Sequence, residues 1–281
     1  ILWQILDRLE CVHNKHLIHR DIHSGNILFV ETNHPSYVLQ IGDFGLSQPA
    51  NDNSQNNVIY GVIPYIASEI FIDSSFSKET DIYSISMIIW ELTTGCKPFA
   101  NVEHDYKLIY EIIDRTQPEI TEDTPECYAN LMKRCWDSNT SNRPSIKEIC
   151  RTVGDWYISG KNKKEFKQAE NQRLELIKLR KIGPELSEKH LNAIYTSRAF
   201  SRSSINSLVK SLNIKQEYIS IEQEDDTQCL SLAKINCKTQ DPDADYGNIS
   251  FNEYISKELG FDIPCQPEKN VNFTTQGATS P

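Results

Sequence analysis

The chain is 281 residues long, 38% of them hydrophobic and 24% charged, with a formal net charge of −10. That length accommodates one large domain or two ordinary ones. The acidic balance argues against a nucleic-acid-binding surface on the folded part. No apolar stretch reaches the roughly 18 residues that a membrane span needs. The densest, 82–92, is interrupted by Ser84, Ser86 and Glu91.

The charge divides unevenly. Residues 1–158 carry 12 basic and 22 acidic side chains, whereas 159–281 carry 17 of each. Within the second part, 161–215 holds 13 basic against 5 acidic residues, and 216–281 holds 4 against 12. A charge-segregated polar stretch of this kind reads first as a solvated tail. The eight cysteines form no C-x-x-C pair, so they read as buried thiols rather than as disulfides or zinc ligands. The chain opens on Ile1, and 1–9 reads as helix with no secretory-signal pattern. It is expected to be part of an intracellular, cytoplasmic protein.

In chain order, Leu2, Ile5, Leu6 and Leu9 recur at helical spacing and predict a helix to about His13. Three short runs rich in apolar and β-branched residues follow at 17–19, 27–30 and 37–41, separated by polar turns, and predict short paired strands. Ile82, Ile85, Ile88, Ile89 and Leu92 predict a helix apolar enough to lie in the core, ended by Gly95 and Pro98. Further helices are predicted at about 104–114 and 126–136. A last one starts at Ser145, where Glu148 completes a capping box. Residues 161–181 allow a charged helix with poor apolar spacing. From Ser201 onward Ser, Asn, Gln, Asp and Lys dominate, a composition that does not readily offset the entropy of ordering. The run 251–261 is the best candidate for order there, but it is isolated.

One constellation carries chemistry: His19-Arg20-Asp21-Ile22-His23-Ser24-Gly25-Asn26, followed by Asp43-Phe44-Gly45. A carboxylate and an amide oxygen, Asp43 and Asn26, suit a hard divalent cation that keeps phosphate oxygens as its other ligands. A second carboxylate, Asp21, remains to orient a hydroxyl and accept its proton. Gly45 permits a tight turn after Asp43. The histidines at 13, 16, 19 and 23 do not repeat a zinc-ligand spacing.

At these residues the chain resembles the eukaryotic protein kinases. His19 to Asn26 fits H-R-D-x-x-x-x-N, and Asp43 to Gly45 fits D-F-G. Further matches come in the family's order: Gly61 to Glu69 for the segment ending in A-P-E, Asp81 to Glu91, Cys135-Trp136 and Arg143-Pro144. The wording is closest to tyrosine-kinase-like members of fungal kinase-like families. The fold this implies is α+β, mainly α: a kinase-like C-terminal lobe over 1–158, with short strands around the catalytic loop. A largely disordered tail over 159–281 would follow, with one possible helix at 161–181.

The resemblance implies roles as well. Asp21 would be the catalytic base, Asn26 and Asp43 would hold Mg2+, and Leu28 would floor the adenine of ATP. Arg20 would receive an activation-segment phosphate, for which Tyr60, Ser47 and Ser54 are candidate sites. Asp81 would brace the catalytic loop, Glu69 would pair with Arg143, and His19 and Phe44 would pack as structural spine members. Several positions depart from the family pattern. His23 stands where many kinases have Lys, Val62 where they have Thr, Ser68 in place of Pro, and Ser86 in place of Gly.

No Gly-rich strand pair, strand Lys or helix Glu precedes the first helix, so the family's smaller lobe is expected upstream, and this stretch alone would lack half of the nucleotide contacts. The implied function is transfer of the γ-phosphate of ATP to a protein hydroxyl in intracellular signalling, on Ser, Thr or Tyr. The alternative is a non-catalytic kinase-like module, a pseudokinase or scaffold. Partners are expected to be protein substrates, with neither nucleic acid nor membrane; the basic stretch 161–215 lacks aromatics placed for base stacking.

Overall fold

The centre of the molecule is a helix with no exposed face along most of its length. A computed structural model describes residues 1–31, 37–52, 57–72, 74–181 and 189–210. In it Lys78–Thr94 forms α3, every residue of which from Thr80 to Thr93 is buried. The other elements enclose it on every side, burying Asp81, Ser84, Ser86 and Glu91 together with its apolar residues. The start of α3 is a capping box in which Ser77 N–H donates to Thr80 Oγ1 at 3.1 Å. Its end is set by Gly95 in the left-handed region (φ 70°), whose N–H returns to Glu91 O at 2.8 Å.

Amphipathic helices pack around it. α1 (Leu2–Asn14) turns Ile5, Leu6, Leu9 and Val12 inward and leaves Trp3 half exposed. α2 (Ser68–Phe71) is a single turn, and α4 (Tyr106–Ile113) is capped by Asp105, whose carboxylate accepts from Lys107 and Leu108 N–H. α5 (Glu126–Cys135) lies against α3, and α6 (Ile146–Ile158), capped by Ser145, lies against α1. Each fully buried Leu or Ile on these faces contributes about 1.5–3 kcal/mol. No helix among the described residues is long and apolar enough to cross a membrane.

The strands are short and come in antiparallel pairs. β2 (Ile27–Glu31) and β3 (Tyr37–Ile41) make a five-residue ladder with Ile27 opposite Ile41 and Phe29 opposite Leu39. Alternation sends Ile27, Leu39 and Ile41 into the core and leaves Leu28 and Val30 outward. β1 (Leu17–Ile18) pairs with β4 (Gln48–Pro49), drawing the segment after Asp43 back to the start of the catalytic loop. The sequence runs at 17–19, 27–30 and 37–41 correspond to β1, β2 and β3. β4 is too short and polar to register as a pattern.

The helix allowed at 161–181 is present as α7 (Lys163–Lys178), and despite poor apolar spacing it is fastened to the helical core. Phe166 meets the rings of Trp156 and Tyr128 at 5.5 and 6.5 Å between centroids, Ala169 is buried, and Arg173 reaches Asp123 at 3.2 Å. Residues 189–210 are ordered as well. β6 (Arg198–Ser201) pairs with β5 (Val58–Gly61), a short helical stretch follows at 202–210, and Phe200, Arg202 and Ile205 are buried. The reading of this stretch as structureless therefore fails at 189–210, because the partner that orders it is a strand edge some 140 positions earlier in the chain. The helical candidate at 251–261 lies outside the described residues. Of the five described cysteines, Cys135 is buried, Cys96, Cys127 and Cys150 are partly buried and Cys11 is exposed, so the reading as buried thiols holds fully for Cys135 and not for Cys11.

Candidate active site

The loop from His19 to Asn26 hangs between β1 and β2, and a buried carboxylate holds its shape. Asp81, in the first turn of α3, accepts His19 N–H at 2.8 Å and Arg20 N–H at 2.9 Å, and its Oδ2 also takes a bond from His13 Nε2 at 2.9 Å. Three donors on one carboxylate at a helix N-terminus give charge-assisted bonds in a dry setting. They secure Arg20 in the left-handed region (φ 74°), a strained conformation for a side chain of that size. His19 spans the same gap. Its Nε2 donates to Gly42 O at 2.9 Å, its Nδ1 accepts Asp21 N–H at 3.4 Å, and its ring lies 4.9 Å from that of Phe44.

Asp21 itself is buried at the base of the loop. Asn26 Nδ2 donates to Asp21 O at 2.9 Å, which leaves the amide oxygen as the polar end of that side chain. Asn26 O in turn accepts Gly42 N–H at 2.8 Å, so the residue before Asp43 is tied to Asn26. Asp43 takes φ 56° and receives Gly45 N–H on Oδ1 at 3.3 Å. Asp21 and Asn26 on the loop, and Asp43 next to the tied Gly42, offer two carboxylates and an amide oxygen, the oxygen-only kind of donor that a hard cation prefers. Leu28 is 48% exposed beside it and covers Gly42 closely: a Cβ on Gly42 would lie 2.5 Å from Leu28 Cδ1.

Gly61, at the end of β5, closes the other side. It has φ 145°, in the region that disfavours any side chain, and a Cβ there would lie 3.0 Å from Ile66 and 3.6 Å from Asp21 Oδ1. Glycine is required on both counts, and the β5 backbone passes directly by the Asp21 carboxylate.

His23, found where the family pattern favours Lys, accepts Gly25 N–H on Nδ1 at 3.1 Å and places Nε2 3.8 Å from Asp21 Oδ1. Burial lowers its proton affinity, and Asp21 opposes that shift. A cation nevertheless reaches the loop from elsewhere. Lys97, just past α3, bonds Ser24 Oγ and lies 3.2 Å from Glu91 Oε2. Glu91 receives Tyr65 O–H at 2.5 Å, and Ser24 and Tyr65 hydroxyls are 3.3 Å apart. Burial raises the Glu91 carboxyl, with Lys97 and the Tyr65 bond pulling it back. Sequence patterns pointed to none of Lys97, Tyr65 or Glu91 as a unit. The only available signal was an acidic residue inside an otherwise apolar helix, which must find a partner.

The remaining candidates lie around this centre. Arg20 donates to Gln48 Oε1 at 2.7 Å and Leu46 O at 3.4 Å and stacks 4.5 Å over the Phe76 ring. Its Nε is buried without a hydrogen-bond partner among the described residues, and burial lowers its proton affinity against the pull of Asp52 and Asp81. Arg143 grips Glu69 in a two-pronged bridge at 2.6 and 2.9 Å and also donates to Asp137 O and Glu79 O, both at 2.9 Å. Such a fork fixes α2 against the start of α3. Ser47 Oγ donates to His19 O at 3.4 Å, Tyr60 is 42% exposed on β5, and Ser54 lies outside the described residues.

Comparison with known proteins gives a consistent result. The family description "Protein kinase domain" matches residues 1–153. The chain is 32% identical over 155 residues to a stress-activated protein kinase alpha of Dictyostelium discoideum, covering 50% of this chain and 24% of that protein. It is 32% identical over 178 residues to a probable serine/threonine-protein kinase of the same organism, covering 59% of this chain and 7% of the relative. It is 33% identical over 146 residues to human mitogen-activated protein kinase kinase kinase 7, covering 52% of this chain and 23% of the relative. The chain spans about a quarter or less of the length of these relatives.

Proposed function

The chain belongs to the protein kinase domain family, and on that premise we propose that it supplies the catalytic lobe of an ATP-dependent kinase that phosphorylates a protein hydroxyl inside the cell. The observation that carries the reading is that Asp81 and His19 hold the loop bearing Asp21 and Asn26 from two sides, while the bond from Gly42 N–H to Asn26 O ties the segment entering Asp43 to that loop. We assign 1–158 to the larger lobe of such a domain, within the tyrosine-kinase-like group that its motif wording favours. The name of the second Dictyostelium relative supports a Ser or Thr acceptor.

Within this reading Asp21 orients the acceptor hydroxyl and takes its proton. Asn26 Oδ1 and the Asp43 carboxylate would hold magnesium, which when bound would supply positive charge to the nucleotide phosphates. Leu28 offers its exposed apolar side chain to the adenine. His23, close to Asp21 and disfavoured as a cation by burial, is a poor substitute for a phosphate-binding Lys. The fixed positive charge beside the loop comes from Lys97 through Ser24.

The test uses this chain joined to the smaller lobe expected upstream, with Mg-ATP and a protein acceptor; residues 1–281 alone are expected to bind ATP weakly or not at all. Asp21→Asn lowers turnover by about 10²–10⁴-fold while nucleotide still binds. Asp43→Asn abolishes metal-dependent nucleotide binding by calorimetry and leaves the thermal melt unchanged. Equal transfer by wild type and both variants overturns the assignment.

A further inference from the structure

Glu91 is a carboxylate near the end of a buried helix, and the groups that answer it form a closed ring. Its Oε1 receives the Tyr65 O–H at 2.5 Å, and its Oε2 lies 3.2 Å from Lys97 Nζ. Lys97 also donates to Ser24 Oγ, and the Ser24 and Tyr65 hydroxyls are 3.3 Å apart. The directions of these bonds follow from the groups themselves. An ionised carboxylate only accepts and an ammonium only donates, so the Tyr65 proton goes to Glu91 and the Ser24 oxygen takes a proton of Lys97. The Ser24 proton is left for the Tyr65 oxygen. Ser24, Tyr65 and Glu91 are all buried.

The ring joins three stretches of chain: the catalytic loop at Ser24, the segment after β5 at Tyr65, and α3 with the turn beyond it at Glu91 and Lys97. Ser24 opens a tight turn, 24–26, whose last residue is Asn26. Asn26 N–H returns to His23 O at 2.9 Å and Ile27 N–H to Ser24 O. Gly25 between them has no side chain to anchor, and the His23 ring leaves no room for one, since a Cβ would lie 2.8 Å from its Cε1. Ser24 is therefore the side chain that fastens the turn to the end of α3. The charge on that bond is the lysine's. His23 accepts Gly25 N–H on Nδ1, which requires an unprotonated nitrogen, and Arg20 turns away to Gln48 and the Phe76 ring. Tyr195 closes over the ammonium, its ring 5.8 Å from Lys97 Nζ and its O–H donating to Pro98 O at 2.8 Å.

We propose that Lys97 is a positioning residue for phosphoryl transfer, holding through Ser24 the turn that presents Asn26, and that Glu91 serves to keep the ammonium in place. The inference rests on the kinase reading and adds to its site a residue from the far side of the fold. Lys97 touches no reacting atom in this role; it acts through the Ser24 hydroxyl. A displaced turn would carry Asn26 Oδ1 away from the metal that Asn26 and Asp43 would share, and misplacement by about 1 Å costs about 10²-fold in rate. The simpler role for Lys97 is to neutralise a buried carboxylate. The two roles separate once Glu91 is itself made neutral.

The first readout is amide exchange of Asn26 and Ile27 N–H in the full chain without nucleotide. Lys97→Met alone strands the Glu91 carboxylate and lowers the Tm; Lys97→Met with Glu91→Gln regains it, because no charge is then left unpaired. In that double variant, exchange at 26 and 27 is expected to run about tenfold faster than in wild type while α3 stays protected. Ser24→Ala, which keeps the Lys97–Glu91 pair, is expected to loosen the turn alike, and Ser24→Thr, which keeps the hydroxyl, to restore it. The second readout is phosphoryl transfer by the chain joined to the smaller lobe expected upstream, with Mg-ATP and a protein acceptor. There the double variant and Ser24→Ala are expected to lose about 10²-fold in kcat with the acceptor KM unchanged. Wild-type exchange at 26 and 27 in the double variant and in Ser24→Ala overturns the proposal, and so does fast exchange with an unchanged kcat. Fast exchange in the variants beside a wild type that transfers no phosphate counts against the kinase reading, not against the hold of Lys97 on the turn.

Discussion

The loop from His19 to Asn26 and the segment 189–210 are held to the same helical core by opposite means. The loop is fastened from a distance by buried charge. One carboxylate of α3 takes three donors, and Arg143 and Glu69 lock the adjoining segment with an ion pair whose arginine side chain is fully enclosed. The tail is fastened by register, through four strand pairs, two buried apolar side chains and main-chain bonds around His104. Removing a partner from the first kind of site leaves an unpaired charge or donor in a dry place. Removing a partner from the second lets the segment leave and take water. Rigidity is therefore expected of the loop that carries Asp21, and reversibility of the strand that pairs with β5.

The largest effect is expected at Asp81. Asp81→Ala strands the His19 and Arg20 N–H groups and the His13 ring, and is predicted to cost about 3–5 kcal/mol, the range for breaking a buried charged cluster from one side. A urea midpoint that falls steeply with an unchanged slope checks it. A loss below about 1 kcal/mol would show that water replaces the carboxylate and that the loop is held by other bonds.

A paired substitution sharpens the contrast. Ile89→Ala, in the middle of α3, is predicted to cost the lobe about 2–5 kcal/mol, as buried Ile→Ala changes do. Phe200→Ala deletes a larger side chain, yet the lobe midpoint is predicted to move by less than about 1 kcal/mol. The tail can undock as a separate unit, and its loss is capped by its docking free energy. Amide exchange at 198–210 should become fast in Phe200→Ala and stay slow in Ile89→Ala. If Phe200→Ala unfolds the domain as Ile89→Ala does, the segment 189–210 is part of the core rather than a separable unit.

The same division explains what could be read from the sequence. The helices of the lobe were legible because 3.6-residue periodicity is a local property, and α1, α3, α4, α5 and α6 lie within a few residues of their expected positions. The residues of the catalytic loop were legible because their order of types is itself the signal. The Lys97, Glu91, Tyr65 and Ser24 unit was not, since its members lie far apart in the chain and only folding brings them together. β6 was missed for a related reason. Arg-Ala-Phe-Ser has one buried apolar residue in four, a pattern that becomes a strand only when β5 offers an edge.

The smallest expected effect is a pH dependence of the tail alone, and it turns on His104. Its Nε2 lies 3.0 Å from Phe99 O and its Nδ1 3.1 Å from Ile194 N, so a neutral ring with the proton on Nε2 donates to Phe99 and accepts from the tail. Asn192 O takes the His104 N–H at 3.1 Å, and the Tyr195 ring closes edge-on at 4.8 Å. Burial lowers the proton affinity of His104; the carbonyls of Ile194 and Phe99 raise it, and the charges of Arg198 and His190 lower it again. When the tail leaves, the ring regains water and an ordinary pKa of about 6.5. The undocked form therefore binds a proton first as pH falls, and docking is strongest above about 6.5 and weakens from there down to the lowered value of the docked state. Exchange at 192–201, corrected for intrinsic rates, should accelerate relative to α3 as pH drops from about 7.5 to about 5.5. His104→Gln, which keeps a donor and an acceptor but does not titrate, should flatten that profile. A profile equally steep in the variant would assign the effect to another group and leave His104 as packing for Tyr195.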